Sequence, residues 1–409
     1  MRRKILIGLT VVLAVITSLV FLFGNRIRRI RLVASLFTGV EQHERFNRVY
    51  EIFPSTQMPA SSMPLNFPVG THVELPQTFV YKSQSINLET FLHETDTSAL
   101  LVLKNGEIVY ENYWLTGGRD VQWLSMSVAK SFVSALVGIA VEEGHIGSIE
   151  DPITQYAPSL AGSAYDNVRI KDVLQMSSGA RWNEDYSDRN SDVLRFGRAF
   201  ATGSSLNDFV ATLEREFEPG TFNRYNSADT QALGLLLVNA TGRTISDYMD
   251  EKLWQPMGAE STGYWLLDNT GMEMAFGGMA LTARDYAKIG ELYRLKGQLN
   301  GNQILSVEWV AASTTPDAPH LQPGGSNPGS DFELGYGYQW WIPESTEGEF
   351  SAIGVYNQFV YVNPTQDVVI VKLSAKRDYA TTLEESSYRE LETIELFRAI
   401  VGATSGNED

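Results

Sequence analysis

Trp123-Leu124-Ser125-Met126-Ser127-Val128-Ala129-Lys130-Ser131-Phe132 carries a polar, turn-compatible stretch into a long apolar one, and a serine and a lysine stand three residues apart at the junction. If a helix opens near Ser127, that spacing stacks Lys130 over Ser127 with about 5–6 Å between their Cβ atoms. A hydroxyl becomes a nucleophile beside a base, and a lysine amine serves as that base only if its pKa falls towards neutrality. Burial lowers a lysine pKa, and the positive end of a helix dipole pushes the same way. The residues that follow, Val128 to Glu143, are apolar on nearly all sides, which is the pattern of a core helix. Ser-x-x-Lys alone is expected by chance about once in a chain of this length, so this apolar context gives the pair its weight.

The chain of 409 residues, 43% hydrophobic, is long enough to bury a substantial core. Its formal charge of −17 understates the asymmetry, because residues 1–31 hold seven of the 32 Lys and Arg and no acid. Such an acidic body repels phosphate backbones, which argues against nucleic-acid binding. There is no cysteine, so disulfides, thiol nucleophiles and thiolate metal sites are excluded. Five scattered histidines show no metal-ligand spacing, and there is no Gly-x-Ser-x-Gly elbow. No metal and no cofactor are therefore expected, and a reactive serine would take a base other than histidine.

Ile5 to Phe23 is an uncharged apolar run of 19 residues, about 28 Å long as a helix and so enough to span a bilayer core. It is longer than a usual signal-peptide core and lacks a small-x-small cleavage site before Arg26. The expectation is an uncleaved single-pass anchor over 1–31, then an irregular, proline-punctuated approach over 32–75 and a catalytic domain over 76–405. Within the domain, Asn105-Gly106 between apolar runs predicts a hairpin. Helices are expected near Ile170 to Met176, Ala228 to Asn239, Tyr286 to Leu295 and Leu391 to Val401. Tyr336 to Ile342 and Gln358 to Leu373 have strand composition. Strands at both ends with helices between them predict an α+β domain whose antiparallel sheet joins its N- and C-terminal strands.

Ser127-Val128-Ala129-Lys130, Tyr225-Asn226-Ser227 and Ala352-Ile353-Gly354, in that order, resemble the three motifs of the penicillin-recognising serine hydrolases. That superfamily holds class C β-lactamases, DD-peptidases and related esterases and amidases with the β-lactamase/transpeptidase-like fold. Four further stretches, Met176 to Glu184, Gly277 to Ala280, Tyr336 to Trp341 and Val355 to Gln358, are most similar to its 6-aminohexanoate-dimer hydrolase branch.

The resemblance implies that Ser127 attacks a carbonyl, Lys130 takes its proton and Tyr225 relays that proton to the leaving group. It places the oxyanion between the backbone N–H groups of Ser127 and Val355. Tyr186, Ser227, Gly354 and Asn357 fall at substrate-binding positions, and the partner is a small ester or amide. The side of the membrane it implies is periplasmic or otherwise extracytoplasmic. Where relatives carry Lys-Thr-Gly or His-x-Gly, this chain has Ala352-Ile353-Gly354, so the cation that would hold a β-lactam carboxylate is missing. Two other readings stand beside the esterase or amidase: a β-lactamase or DD-peptidase, and a catalytically idle envelope protein of penicillin-binding type. The acidic loop Glu184, Asp185 and Asp188 adds the expectation of a cationic group on the substrate.

Overall fold

Asn105 and Gly106 both adopt the left-handed backbone that a tight hairpin needs, with φ of 53° and 78°, and they join strands Thr97–Lys104 and Glu107–Tyr113. In this computed structural model, which describes residues 12, 13, 17, 18, 24, 36, 37 and 41–406, that hairpin closes one edge of a seven-stranded sheet. The order from the other edge is Gly335–Tyr336, Trp341–Ile342, Phe350–Gly354, Gln358–Asn363, Val368–Ser374, Thr97–Lys104 and Glu107–Tyr113, with every neighbouring pair antiparallel. The sheet thus joins strands from both ends of the domain, as the α+β reading expects.

Alternation along the strands sends side chains to two separate cores. Leu101, Leu103, Val360, Val362, Val369 and Val371 face the helix Ala283–Arg294, whereas Leu100, Val102, Phe359, Tyr361 and Ile370 face Ile394, Phe397 and Ile400 of the C-terminal helix Glu390–Ser405. With both faces covered, Val368–Ser374 is buried at every residue, which explains its apolar run from Val368 to Val371. Gly290 lets the first helix lie close, since a Cβ there would stand 2.7 Å from a Val369 methyl and 3.0 Å from one of Val360.

Beyond the sheet lies the helical region. Its axis is Ala129–Glu142, buried from Ala129 to Ala140, packed against Ser227–Thr241, which is buried from Ser227 to Leu237. A second, four-stranded antiparallel sheet runs Ser55–Met58, Gly263–Leu266, Met279–Leu281, Trp123–Leu124. Its last strand leads straight into Ser127, so the segment before the domain belongs to the same sheet as the strand that delivers that serine. That segment also forms the short helices Gln42–Phe46 and Val49–Ile52, which bury Phe46 and Val49.

Two expectations are corrected. The stretch 336–342 is not one strand: Gln339 takes a φ of 62° and donates its side-chain amide to Leu174 O at 2.7 Å, while Thr230 donates to its Oε1 at 2.7 Å. That anchorage leaves only two residues of strand on each side. The single-pass membrane helix, the membrane contact and the membrane-anchored location are likewise not supported. Among the described residues no helix is long and apolar enough to cross a membrane. Apolar length is necessary for such a span, but the span also requires one continuous helix of about 20 residues. Ile5 to Phe23 itself lies outside the described residues except at Val12, Leu13, Thr17 and Ser18.

Candidate active site

Ser127 lies in a 3-10 turn, Met126–Val128, that opens the buried Ala129–Glu142 helix. Met126 just before it is held at φ 46°, a left-handed conformation that side chains other than glycine rarely adopt. One turn on, Lys130 is 1% exposed, and its Nζ donates to Ser127 Oγ at 2.8 Å, to Phe276 O at 2.9 Å and to Ser227 Oγ at 3.2 Å. All three acceptors are neutral. Burial pulls the Lys130 ammonium down to a pKa of about 7, against the upward pull of the Glu184 carboxylate.

Tyr225 and Ser227 reach the same place from the start of the Ser227–Thr241 helix. Between them, Asn226 caps that helix: its side-chain oxygen accepts from Ala228 N at 2.8 Å, and its amide donates to Asp229 Oδ1 at 2.9 Å. The cap holds the flanking residues at the mouth of the site. The Tyr225 ring centroid lies 4.9 Å from Lys130 Nζ, and the ring stacks on Trp341 at 5.0 Å. Burial pushes its phenol well above the ordinary tyrosine range, Tyr336 and Glu184 add to this, and the Ser127 hydroxyl counters it.

Gly354 ends the strand Phe350–Gly354 hard against the turn that carries Ser127. A Cβ there would sit 2.7 Å from Ser125 O and 3.1 Å from Ser127 N, so only glycine lets the strand pass this close. The backbone that carries Val355 is thereby set beside the Ser127 amide. Val355, Ser127, Ser227 and Tyr186 all line one pocket, whose remaining walls are almost entirely apolar.

Asn357 is directed elsewhere. It is fully buried beneath the turn, where its Oδ1 accepts from Lys372 Nζ at 2.5 Å and its amide donates to Thr393 Oγ1 at 3.1 Å. Lys372 also donates to Ser374 Oγ at 2.7 Å and Thr95 Oγ1 at 3.0 Å, and burial holds its ammonium well below the usual lysine range. Asn357 therefore supports the turn Val355-Tyr356-Asn357 from below.

The residue that sequence reading undervalued is Glu184. It accepts from Ser227 Oγ at 2.6 Å, from Tyr186 OH at 2.9 Å, from Ser227 N at 3.1 Å and from the Trp182 indole. Trp182, Glu184 and Tyr186 alternate along the chain, and that spacing was a usable signal for one shared face. Asp185 and Asp188 are spent within their own loop, on Ser187 and on Asn183 and Asn190.

A family model described as Beta-lactamase matches residues 88–394. The chain belongs to the β-lactamase family. It is a serine hydrolase with the β-lactamase fold. It is 32% identical over 299 residues to the 6-aminohexanoate-dimer hydrolase of Paenarthrobacter ureafaciens, covering 71% of this chain and 76% of that one. A β-lactamase of Yersinia enterocolitica is 25% identical over 171 residues, 40% of this chain and 41% of its own. In structure the chain is similar to a Bacillus anthracis protein proposed to be a 6-aminohexanoate-dimer hydrolase, with a TM-score of 0.79 and 21% identity over 91% of this chain and 97% of that one. At that identity the likeness speaks for the fold. Among the described residues no group of acidic and histidine side chains is arranged to hold a metal.

Proposed function

We propose that the protein hydrolyses carboxylic esters or linear amides through an acyl-enzyme on Ser127. The observation that carries this reading is Lys130: its Nζ lies 2.8 Å from Ser127 Oγ, and burial brings its pKa to about 7, so an unprotonated amine is available near neutrality. Ser127 Oγ bonds to the carbonyl carbon as its proton passes to Lys130. The carbonyl oxygen becomes an oxyanion that the N–H groups of Ser127 and Val355 receive. As the tetrahedral adduct collapses, the bond to the alcohol or amine breaks and that group leaves with a proton relayed through Tyr225. Water then attacks the ester on Ser127, and the carboxylic acid departs as the serine regains its proton.

Preference for esters and linear amides over β-lactams is supported by the third motif. Ala352 and Ile353 are buried apolar side chains at the place where a cation would hold a β-lactam carboxylate. The relative from Paenarthrobacter ureafaciens, named for a linear amide, supports the same substrate class.

The test follows hydrolysis of p-nitrophenyl esters and nitrocefin and labelling by a fluorophosphonate, comparing the parent with Ser127→Ala and Lys130→Ala. The expected outcome is ester turnover and a single adduct on Ser127, located by intact mass and peptide mapping, both lost in Ser127→Ala, with little nitrocefin cleavage. A folded parent that takes no adduct, or ester turnover that survives Ser127→Ala, overturns the assignment.

A further inference from the structure

We propose that the site takes an ester or amide with an uncharged, apolar acyl chain, which lies between the Asp192–Thr202 helix and the Leu36-Phe37 end of the N-terminal segment. The inference rests on Ser127 being the acylated residue, and it names what that residue carries.

The pocket beside Ser127 has apolar walls from three parts of the chain: Leu36, Phe37 and Phe53 before the domain, Phe200 on the helix, and Met274 and Phe276 further along. No Lys, Arg, His, Asp or Glu is among the described residues that line it. The acidic loop offers no cation-binding surface there, because Glu184 is engaged by Ser227, Tyr186 and Trp182, and Asp185 and Asp188 bond within the loop. An ammonium or carboxylate at the end of a chain in this pocket would lose its hydration and gain no partner. An alkyl chain would instead be driven in by removal of its surface from water.

The position of Tyr225 says which half of the substrate enters. Tyr225 packs among Trp341, Tyr336 and Phe332, a flank of the site that contributes no residue to the pocket lining. The leaving group must be within reach of the proton that Tyr225 supplies, so it departs on that flank. The acyl chain is left with the apolar pocket.

Gly197 gives an independent reason to read the space as functional. It sits in the interior of the Asp192–Thr202 helix, where glycine is one of the least favourable residues. Its φ is not left-handed, and a Cβ built on it would meet no atom within 4 Å, so no neighbour in the fold demands glycine. It lines the pocket, and the effect of its missing side chain is room beside Ser127. Phe37 adds a wall from the N-terminal segment, stacked on Tyr356 at 5.5 Å with the rings 6° apart, which ties that segment to the turn that carries Val355.

The test uses the full chain and three esters of one leaving group: p-nitrophenyl acetate, hexanoate and 6-(trimethylammonio)hexanoate. Each methylene buried is worth about fourfold, so kcat/KM for hexanoate should exceed that for acetate by about tenfold or more. The cationic ester should fall at least about tenfold below hexanoate despite equal acyl length. Gly197→Leu, which fills the pocket, and Phe37→Ala, which removes its N-terminal wall, should each lower the hexanoate-to-acetate ratio by about tenfold. Rates are normalised to the fraction labelled by fluorophosphonate, so partial misfolding of either variant does not mimic the effect. Equal rates on acetate and hexanoate, or a cationic ester handled as well as the neutral one, would overturn the acyl assignment while leaving Ser127 as nucleophile. A parent that neither labels nor turns over any of the three esters overturns the hydrolase mechanism itself, and this inference with it.

Discussion

Replacing Glu184 by glutamine should move the pH dependence of catalysis towards acid. Lys130 Nζ is 3.2 Å from Ser227 Oγ, and Ser227 Oγ is 2.6 Å from Glu184 Oε1, so the amine and the carboxylate are no more than about 6 Å apart. At an effective dielectric of about 20, two unit charges at that distance interact by about 3 kcal/mol, or about two pKa units. Glu184 is partly exposed, and solvent screening brings the expected effect nearer to one unit. The carboxylate favours the charged amine, so its loss lowers the Lys130 pKa below the parent's value of about 7. In the proposed mechanism the base is the neutral amine, and kcat/KM therefore rises with pH through this pKa and levels above it.

The assay is kcat/KM for p-nitrophenyl butyrate from about pH 5 to 9, which reports groups of the free enzyme. The parent should show an acid limb near 7, and Glu184→Gln a limb about one pH unit lower. Because the new amide meets donors at Ser227 N and Trp182, a melting curve and the fraction labelled by fluorophosphonate accompany each profile. Glu184→Asp keeps the charge and should hold its limb near the parent's even where the rate falls. A limb that stays in place or moves upward in a Glu184→Gln protein that melts like the parent would refute the argument, since Lys130 could not then be the group that titrates.

Three further outcomes are expected. Gly354→Ala should lower kcat by about 10²–10³-fold with KM little changed, because the added carbon meets Ser125 O and Ser127 N, where the proposed mechanism sets the oxyanion donors; single-turnover acylation checks it. Tyr225→Phe should lower kcat by about 10²-fold while keeping the melting temperature, since the ring retains its stack on Trp341. Lys372→Met should destabilise the fold by about 1–3 kcal/mol in a denaturant titration, because Asn357, Ser374 and Thr95 lose a shared buried donor. The same variant should lower kcat more than it changes KM, as the turn beneath Val355 loosens.

Much of the fold was legible because its signals are local. Asn105-Gly106 specifies its hairpin through two left-handed residues, and the apolar run after Ser127 specifies a buried helix whatever surrounds it. Features set by distant partners were not legible. Ser55–Met58 pairs with Gly263–Leu266 across two hundred residues of sequence, and nothing in its composition names that partner. Gln339 breaks a strand-like stretch because Leu174 and Thr230 hold it, and both contacts exist only in the fold. In the site, Ser127 and Lys130 could be read from their spacing, whereas Asn357 could not be told apart from a substrate ligand until Lys372 was seen beneath it. Glu184 was hidden for the opposite reason: in an acidic loop, the one carboxylate that reaches Ser227 looks like those bonded within the loop.

The placement of Glu184 explains how one buried lysine can be both fixed and basic. A carboxylate in direct contact with Lys130 would hold it as an ammonium, and the ion pair would be poor at taking a proton from Ser127. With no carboxylate nearby, burial alone would drive the amine so far down that it could no longer hold that proton for delivery to a leaving group. Here Ser227 stands between the two charges, accepting from Lys130 and donating to Glu184. The lysine meets only neutral oxygens, yet still feels the carboxylate at second remove, and the balance lies near neutrality. On this argument Ser227→Ala should be worse than loss of one hydrogen bond. It would leave Glu184 and Lys130 facing one another with no group between them, and a water in the gap or a direct ion pair would raise the Lys130 pKa. The acid limb of kcat/KM should then move upward, opposite to Glu184→Gln. Two variants in one hydrogen-bonded chain that shift the same limb in opposite directions would be hard to obtain from general loosening of the site.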